Sequence, residues 1–260
     1  MMNRRRKRRE ARESEFPAEW RQYLAAGWAA WHSLSRDERE RLEGLVKVFV
    51  ADKRWEAARG FALTDEMRVV IAAQACLLIL ELDLDYYRGV GSIIVHPRAI
   101  VQRGQHATET PGVMSSDPFT LAGQAHYGGP VIITWDAARF EARHPDGGYN
   151  VVLHEFAHKL DMLDGVVDGT PPLADAESRQ RWIAVCTAEF AALTDGADGT
   201  GGSLIRQYGA VSAGEFFAVA TETFFCRPIE LRAEKPELYG VLSEFFRQDP
   251  ALRSASNGSC

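Results

Sequence analysis

Apolar side chains recur at helical spacing along most of this chain. Residues 16–35 place Trp20, Leu24, Trp28 and Trp31 on one face, which predicts a helix. From Ser35 a second stripe of Leu42, Leu45, Val46, Phe49 and Val50 predicts an amphipathic helix within a segment running to Trp55. Ser35 suits its N-cap, with an acidic first turn behind it. Thr64 opens a third helix, which runs through apolar sequence to about Leu80, although Met67 stands where a capping box prefers Glu. Two short β-branched runs interrupt the helices. Residues 92–96 (SIIVH) end at Pro97, and 131–135 (VIITW) follow Gly128-Gly129-Pro130; both read as strands. The stretch 103–129, rich in Gly, Ser, Thr and Pro, reads as loop or hairpin. Helical pattern then returns at 136–143, 149–163, 175–194, 213–226 and near 236–247, with turn-rich loops at 164–172 and 194–203. Mostly helical sequence with a small sheet is α+β rather than an alternating βαβ fold.

Composition narrows this picture. With 260 residues, 46% of them apolar, the chain can bury a good-sized core. We expect one domain over 16–250, flanked by a basic disordered tail at 1–15 and a disordered tail at 251–260. The net charge of −6 argues against direct nucleic-acid binding by the body of the protein. The longest apolar run, Val69–Leu80, contains Gln74 and is too short to span a bilayer. The opening MMNRRRKRRE has no apolar stretch behind it, so it lacks the pattern of a secretory signal and a cytoplasmic location is expected. The basic tail reads as a solvated end, with weak attachment to an anionic membrane or nucleic acid as the other reading. Cys76, Cys186, Cys226 and Cys260 form no CxxC pair and suggest no disulfide framework.

The chemistry concentrates in 150–165, NVVLHEFAHKLDMLDG. His154-Glu155-Phe156-Ala157-His158 is an H-E-x-x-H motif. On a helix, positions i and i+4 share a face, so both imidazoles can reach one metal ion. Glu155 sits at the edge of that face, where its carboxylate reaches an attacking water rather than the metal, as a general base must. A catalytic zinc takes three protein ligands, so a third is required. The longer pattern with Gly at 161 and His at 164 is absent, because Asp161 and Asp164 stand there. A glutamate on a later helix remains. Residues 212–225 (SAGEFFAVATETFF) supply Glu215 and Glu222 two turns apart on one apolar helix, where a buried carboxylate requires a partner. Ligating histidines usually donate their second N–H to an acceptor, and Asp161, Asp164 and Glu222 are candidates for that. His106, His126 and His144 read as ordinary exposed histidines.

The chain resembles the Mlc titration factor A family of zinc metallopeptidases, related to the catalytic domain of anthrax lethal factor. The resemblance rests on FPAEW at 16–20, LVKVFVADKRWE at 45–56, TDEMRVVIAAQACLLIL at 64–80, GGPVIITW at 128–135, HEFAHKLDMLDG at 154–165, and the segment from Tyr208 to Phe225. It implies a zincin-like fold with one Zn2+ per chain. It implies His154, His158 and Glu215 as metal ligands and Glu155 as the general base. It also implies Tyr208 as a phenol facing the site. It implies peptidase activity, leaning towards aminopeptidase action on short substrates. Extended substrate would pair with a strand edge, for which Val131–Thr134 is one candidate and a core strand the plainer reading. The family is also known for binding a repressor of glucose-uptake genes. The alternative is therefore a cytoplasmic binding partner of that repressor with little or no peptidase activity.

Overall fold

The structure, a computed structural model, describes residues 2–58, 60–98, 129–196 and 203–257, with short strand segments between 100 and 125. The chain opens with helices α1 (Met2–Glu13), α2 (Ala18–Gly27) and α3 (Arg36–Asp52), then strand β1 (Arg54–Ala57). Helix α4 (Asp65–Leu78) crosses to β2 (Ser92–His96). Short strands β3 (Ile100–Gln102), β4 (His106–Ala107), β5 (Met114–Ser115) and β6 (Phe119–Leu121) follow; β3 pairs with β6 and β4 with β5, both antiparallel. After β7 (Gly123–Ala125) and β8 (Val131–Thr134) the chain turns helical. It continues through α5 (Trp135–Arg143), α6 (Val151–Asp161), α7 (Ala176–Thr194), α8 (Ala213–Cys226), α9 (Pro228–Glu234), α10 (Pro236–Phe246) and α11 (Pro250–Asn257). The fold is α+β and mostly helical.

The main sheet has the order β1-β2-β8-β7. Its first three strands are parallel, with Ile93 opposite Val131 and Val95 opposite Ile133, and β7 is antiparallel to β8. Ile93, Val95, Val131 and Ile133 are fully buried, as expected where helices cover a parallel sheet. Val131–Thr134 is therefore an interior strand. The edge beside it is β7, and α6 packs close to both.

Helix α6 is fixed at both its start and its buried face. Asn150 caps it, accepting from Leu153 N–H at 3.0 Å, while its amide donates to the buried Gln74 at 2.8 Å. Val152, Phe156, Ala157 and Leu160 point into the core, where the Phe156 ring meets Phe49 and Tyr87. That leaves His154 and His158 on the side facing α8. Ser212 caps α8 by accepting from the Glu215 N–H at 3.2 Å. This helix is buried nearly all round, with Phe216, Phe217 and Phe224 inside.

Several sequence expectations change. The segment from Ser35 to Trp55 is helical only to Asp52, because pairing with β2 captures Arg54–Ala57 and Arg54 N–H donates to Gly91 at 3.1 Å. Tertiary pairing outweighs helix propensity there. Trp28 is extended and splits the first predicted helix, leaving a 3-10 turn at Ala29–His32. The expected disordered tail at 1–15 contains helix α1, because Arg8 forks onto the buried Asp52 with two contacts of 3.0 Å. The expected tail at 251–260 is helical to Asn257, with Arg253 bonded to Glu38; residues 258–260 lie outside the described residues. Of the 103–129 stretch, only the short strands and residue 129 are described.

Gly169 carries a testable backbone demand. It lies at φ +74°, and a Cβ there would overlap the carbonyl of Ala213 at the start of α8. Its N–H donates to Asp161 at 3.1 Å, and its carbonyl accepts from the buried Trp182 at 3.0 Å. Gly169→Ala combines left-handed strain with overpacking and is expected to cost about 2–4 kcal/mol. Thermal unfolding should shift down by roughly 5–15 °C; an unchanged midpoint contradicts this role.

Candidate metal centre

The two imidazoles of α6 and one carboxylate of α8 converge. His154 Nε2 lies 3.1 Å from Glu215 Oε2, His158 Nε2 lies 3.2 Å from Glu215 Oε1, and the two Nε2 atoms are 3.2 Å apart. Glu215 is buried, while the histidines are partly exposed. An ion held tetrahedrally at about 2.0–2.1 Å spaces its ligand atoms by roughly 3.3–3.4 Å. The two Nε2 atoms, 3.2 Å apart, come close to that spacing, and each lies against a different oxygen of the one Glu215 carboxylate. His154, His158 and Glu215 are thus the group that could hold a metal ion among the described residues.

The surrounding chemistry agrees with a cation here. Glu222, two helical turns beyond Glu215, accepts from His154 Nδ1 at 2.8 Å. With the proton on Nδ1, the Nε2 lone pair faces the cluster, the tautomer a metal ligand needs. Burial works against a charged His154, yet the bonds to Glu215 and Glu222 outweigh it and hold the imidazole well above the usual histidine range. The site therefore favours positive charge.

Glu155 is buried beside the cluster. Burial pushes its carboxyl up to about 7, against the pull of His154 and His158. Its Oε2 has no hydrogen-bond partner among the described residues, as expected of an acceptor kept open for a ligand. The Tyr208 ring centre lies 6.0 Å from that of His154, and the residue is 39% exposed on a 3-10 turn, Gln207–Ala210. All five residues singled out in the sequence come together, and Tyr208 is the outermost.

The three carboxylates weighed for the second histidine nitrogen separate clearly. Only Glu222 takes that place. Asp161 instead accepts from Gly169 N–H, and burial raises its carboxyl to about 6. Asp164 accepts from Val166 N–H at 3.0 Å and closes a turn. His144 meets the Phe140 carbonyl at 2.8 Å, away from the cluster. His126 and the side chain of His106 lie outside the described residues.

Sequence reasoning missed Arg206 and Asn150. Arg206 is ion-paired with Glu222, and its guanidinium lies 4.1 Å over the Tyr149 ring. The Asn150 N–H donates to the other Glu222 oxygen at 2.5 Å. Asn150 was legible as an N-cap before an apolar run, but nothing local in the sequence ties Arg206 to α8. Glu141 supports the same region, accepting from Val151 N–H at 2.6 Å, with burial raising its carboxyl to about 7.

A His-His-Glu group held between two core helices, on a mostly helical α+β fold, defines the class: a protein with a candidate metal centre of the peptidase type. The chain belongs to the glucose-regulated metallopeptidase M90 family, whose model matches residues 2–247. It is 35% identical to an uncharacterised protein of Synechocystis sp., over 91% of this chain and 86% of the relative. It is 32% identical to the Mlc titration factor A of Edwardsiella ictaluri, over 87% and 86% of the two chains. With the Mlc titration factor A of Klebsiella pneumoniae it shares 30% identity, over 96% and 92%. Among the described residues, no helix is long and apolar enough to cross a membrane.

Proposed function

We propose that this protein is a zinc-dependent peptidase, with His154, His158 and Glu215 as the metal ligands and Glu155 as the general base. The observation that carries the reading is the convergence of two imidazole Nε2 atoms, 3.2 Å apart, on one buried carboxylate, with His154 at 3.1 Å from one Glu215 oxygen and His158 at 3.2 Å from the other. That donor set is the one zinc takes in peptidases, with a fourth position left open. Zinc, when bound, supplies Lewis acidity to the scissile carbonyl and makes water more acidic.

The remaining steps belong to the chain's own residues. Glu155, a carboxylate raised towards neutrality by burial, takes the proton of the attacking water and passes it to the departing amine. Tyr208, beside His154 and open to solvent, donates its hydroxyl proton to the hydrogen bond that steadies the developing oxyanion. Glu222 holds His154 in the ligating tautomer. The substrate class is peptide or protein, with aminopeptidase action on short substrates as the working specificity and the cytoplasm as the working location.

A second role is compatible with the first. Relatives bear the name Mlc titration factor A, which supports binding of a transcriptional repressor of glucose-uptake genes as a function of this chain. In the alternative reading, that binding is the main activity and peptidase action is slight. The retained Glu155 favours catalysis, because a binding protein needs no buried base.

Metal analysis with hydrolysis of chromogenic amino-acid and peptide substrates tests the reading. One zinc per chain is expected, with activity lost on chelation and restored by zinc. His154→Ala and Glu215→Ala are each expected to lose most of the bound zinc. Full zinc content in either variant removes that residue from the ligand set. Zinc with no hydrolysis in the wild type moves the weight to repressor binding.

A further inference from the structure

Helix α1 carries seven of the chain's 30 basic side chains and only two of its 36 acidic ones. The rest of the molecule is left with 23 basic against 34 acidic groups, so charge is strongly segregated. The helix is also held to the body. The Arg8 guanidinium forks onto the buried Asp52, which also pairs with Lys53 at 3.2 Å, and its remaining arm reaches Asp85 at 3.5 Å. Lys47 donates to the Arg12 carbonyl at 3.2 Å, and Ala11 packs on the core. This leaves Arg5, Arg6, Lys7, Arg9 and Arg12 exposed. Arg5, Arg9 and Arg12 follow i, i+4, i+7 spacing and form one stripe along the helix. Their relief within the chain is slight: Arg6 meets Glu10 at 3.4 Å and Arg9 meets Glu13 at 3.9 Å, both in solvent.

We propose that the outward face of α1 is a docking surface for the phosphate backbone of double-stranded nucleic acid, read without regard to sequence. Whole-chain charge argues against nucleic acid, but an anchored helix presents local charge, with seven basic side chains against two acidic ones. Like charges at i, i+4, such as Arg5 with Arg9, destabilise the helix, and a line of phosphates relieves that repulsion. Arginine outnumbers lysine six to one in α1, and its planar fork matches paired phosphate oxygens. The exposed face carries no apolar side chain from Arg5 to Glu13, so it lacks the wedge with which interfacial helices enter a lipid surface. The surface is separate from the metal centre and stands whether or not the chain is a peptidase.

The test is fluorescence anisotropy of a fluorescein-labelled duplex, two to three helical turns long, titrated with the full chain. Neutralising about four phosphates predicts roughly a 100-fold loss of affinity between about 50 mM and about 200 mM salt. The triple charge reversal Arg5→Glu, Arg9→Glu, Arg12→Glu should weaken binding at least about tenfold at about 50 mM salt, with metal content unchanged. Should that variant lose the helix by circular dichroism, Glu10→Gln with Glu13→Gln serves instead and should tighten binding. No binding of the duplex at low salt overturns the proposal. So does unchanged affinity in both variants. Cosedimentation with phosphatidylglycerol vesicles without duplex binding also overturns it and assigns the face to membrane.

Discussion

Glu155→Gln is expected to lower kcat by roughly 10²–10⁴-fold while one metal ion stays bound per chain. Glutamine keeps the volume and polarity of glutamate but cannot take a proton, so the variant removes the base and little else. The environment makes this separation clean. Glu155 is buried on α6 with one oxygen lacking a hydrogen-bond partner among the described residues, and it stands outside the triangle formed by His154, His158 and Glu215. Removing its charge leaves that triangle intact. The loss corresponds to about 3–5 kcal/mol of transition-state stabilisation. It should appear in kcat and kcat/KM alike, because proton transfer is made only in the transition state. Metal analysis beside steady-state kinetics checks both halves. Retained turnover rules out Glu155 as the base, and lost metal shows that it acts on the ligands instead.

How much of this was legible in the sequence depends on the range of the signal. The two histidines and Glu155 sit within one helical turn, and local periodicity alone puts them on a common side of α6. Glu215 is harder, because 57 residues separate it from His158. Spacing narrowed the choice to Glu215 or Glu222, and family resemblance selected between them. The structure gives the two glutamates of that apolar helix different neighbours: one faces both imidazole Nε2 atoms, and the other accepts from His154 Nδ1. Asp161 was a candidate for the second histidine nitrogen beside Asp164 and Glu222. It was drawn instead to the Gly169 N–H, a contact made by a loop whose path the sequence did not reveal. The same limit applies to the fold. Strands β2 and β8 were visible as β-branched runs, whereas β1 was hidden at the end of a convincing helical stripe. The ends were misread for a related reason. A run of arginines looks solvated until one of them, Arg8, finds the buried Asp52 across 44 residues.

Glu222→Gln is expected to weaken metal binding by roughly 10–100-fold, although Glu222 stands outside the proposed ligand set. The argument is one of donors and acceptors. His154 Nδ1, the Asn150 N–H and the Arg206 guanidinium all point at the Glu222 carboxylate, two on Oε1 and one on Oε2. A carboxylate accepts from all three. A glutamine must turn its NH2 towards at least one of these donors, since an amide has a single acceptor oxygen. Either His154 loses the bond that sets its tautomer or α6 loses the bond to its N-cap residue. The variant also strips Arg206 of the carboxylate it pairs with, leaving it over the Tyr149 ring. Arg206→Met tests the two effects separately. It removes one donor and leaves Glu222 free to serve His154 and Asn150, so metal affinity should fall less than in Glu222→Gln. Competition with a zinc chelator measures affinity without reference to turnover. Equal affinity in Glu222→Gln and the wild type would mean that His154 keeps its orientation without the carboxylate, through its place on the buried helix alone.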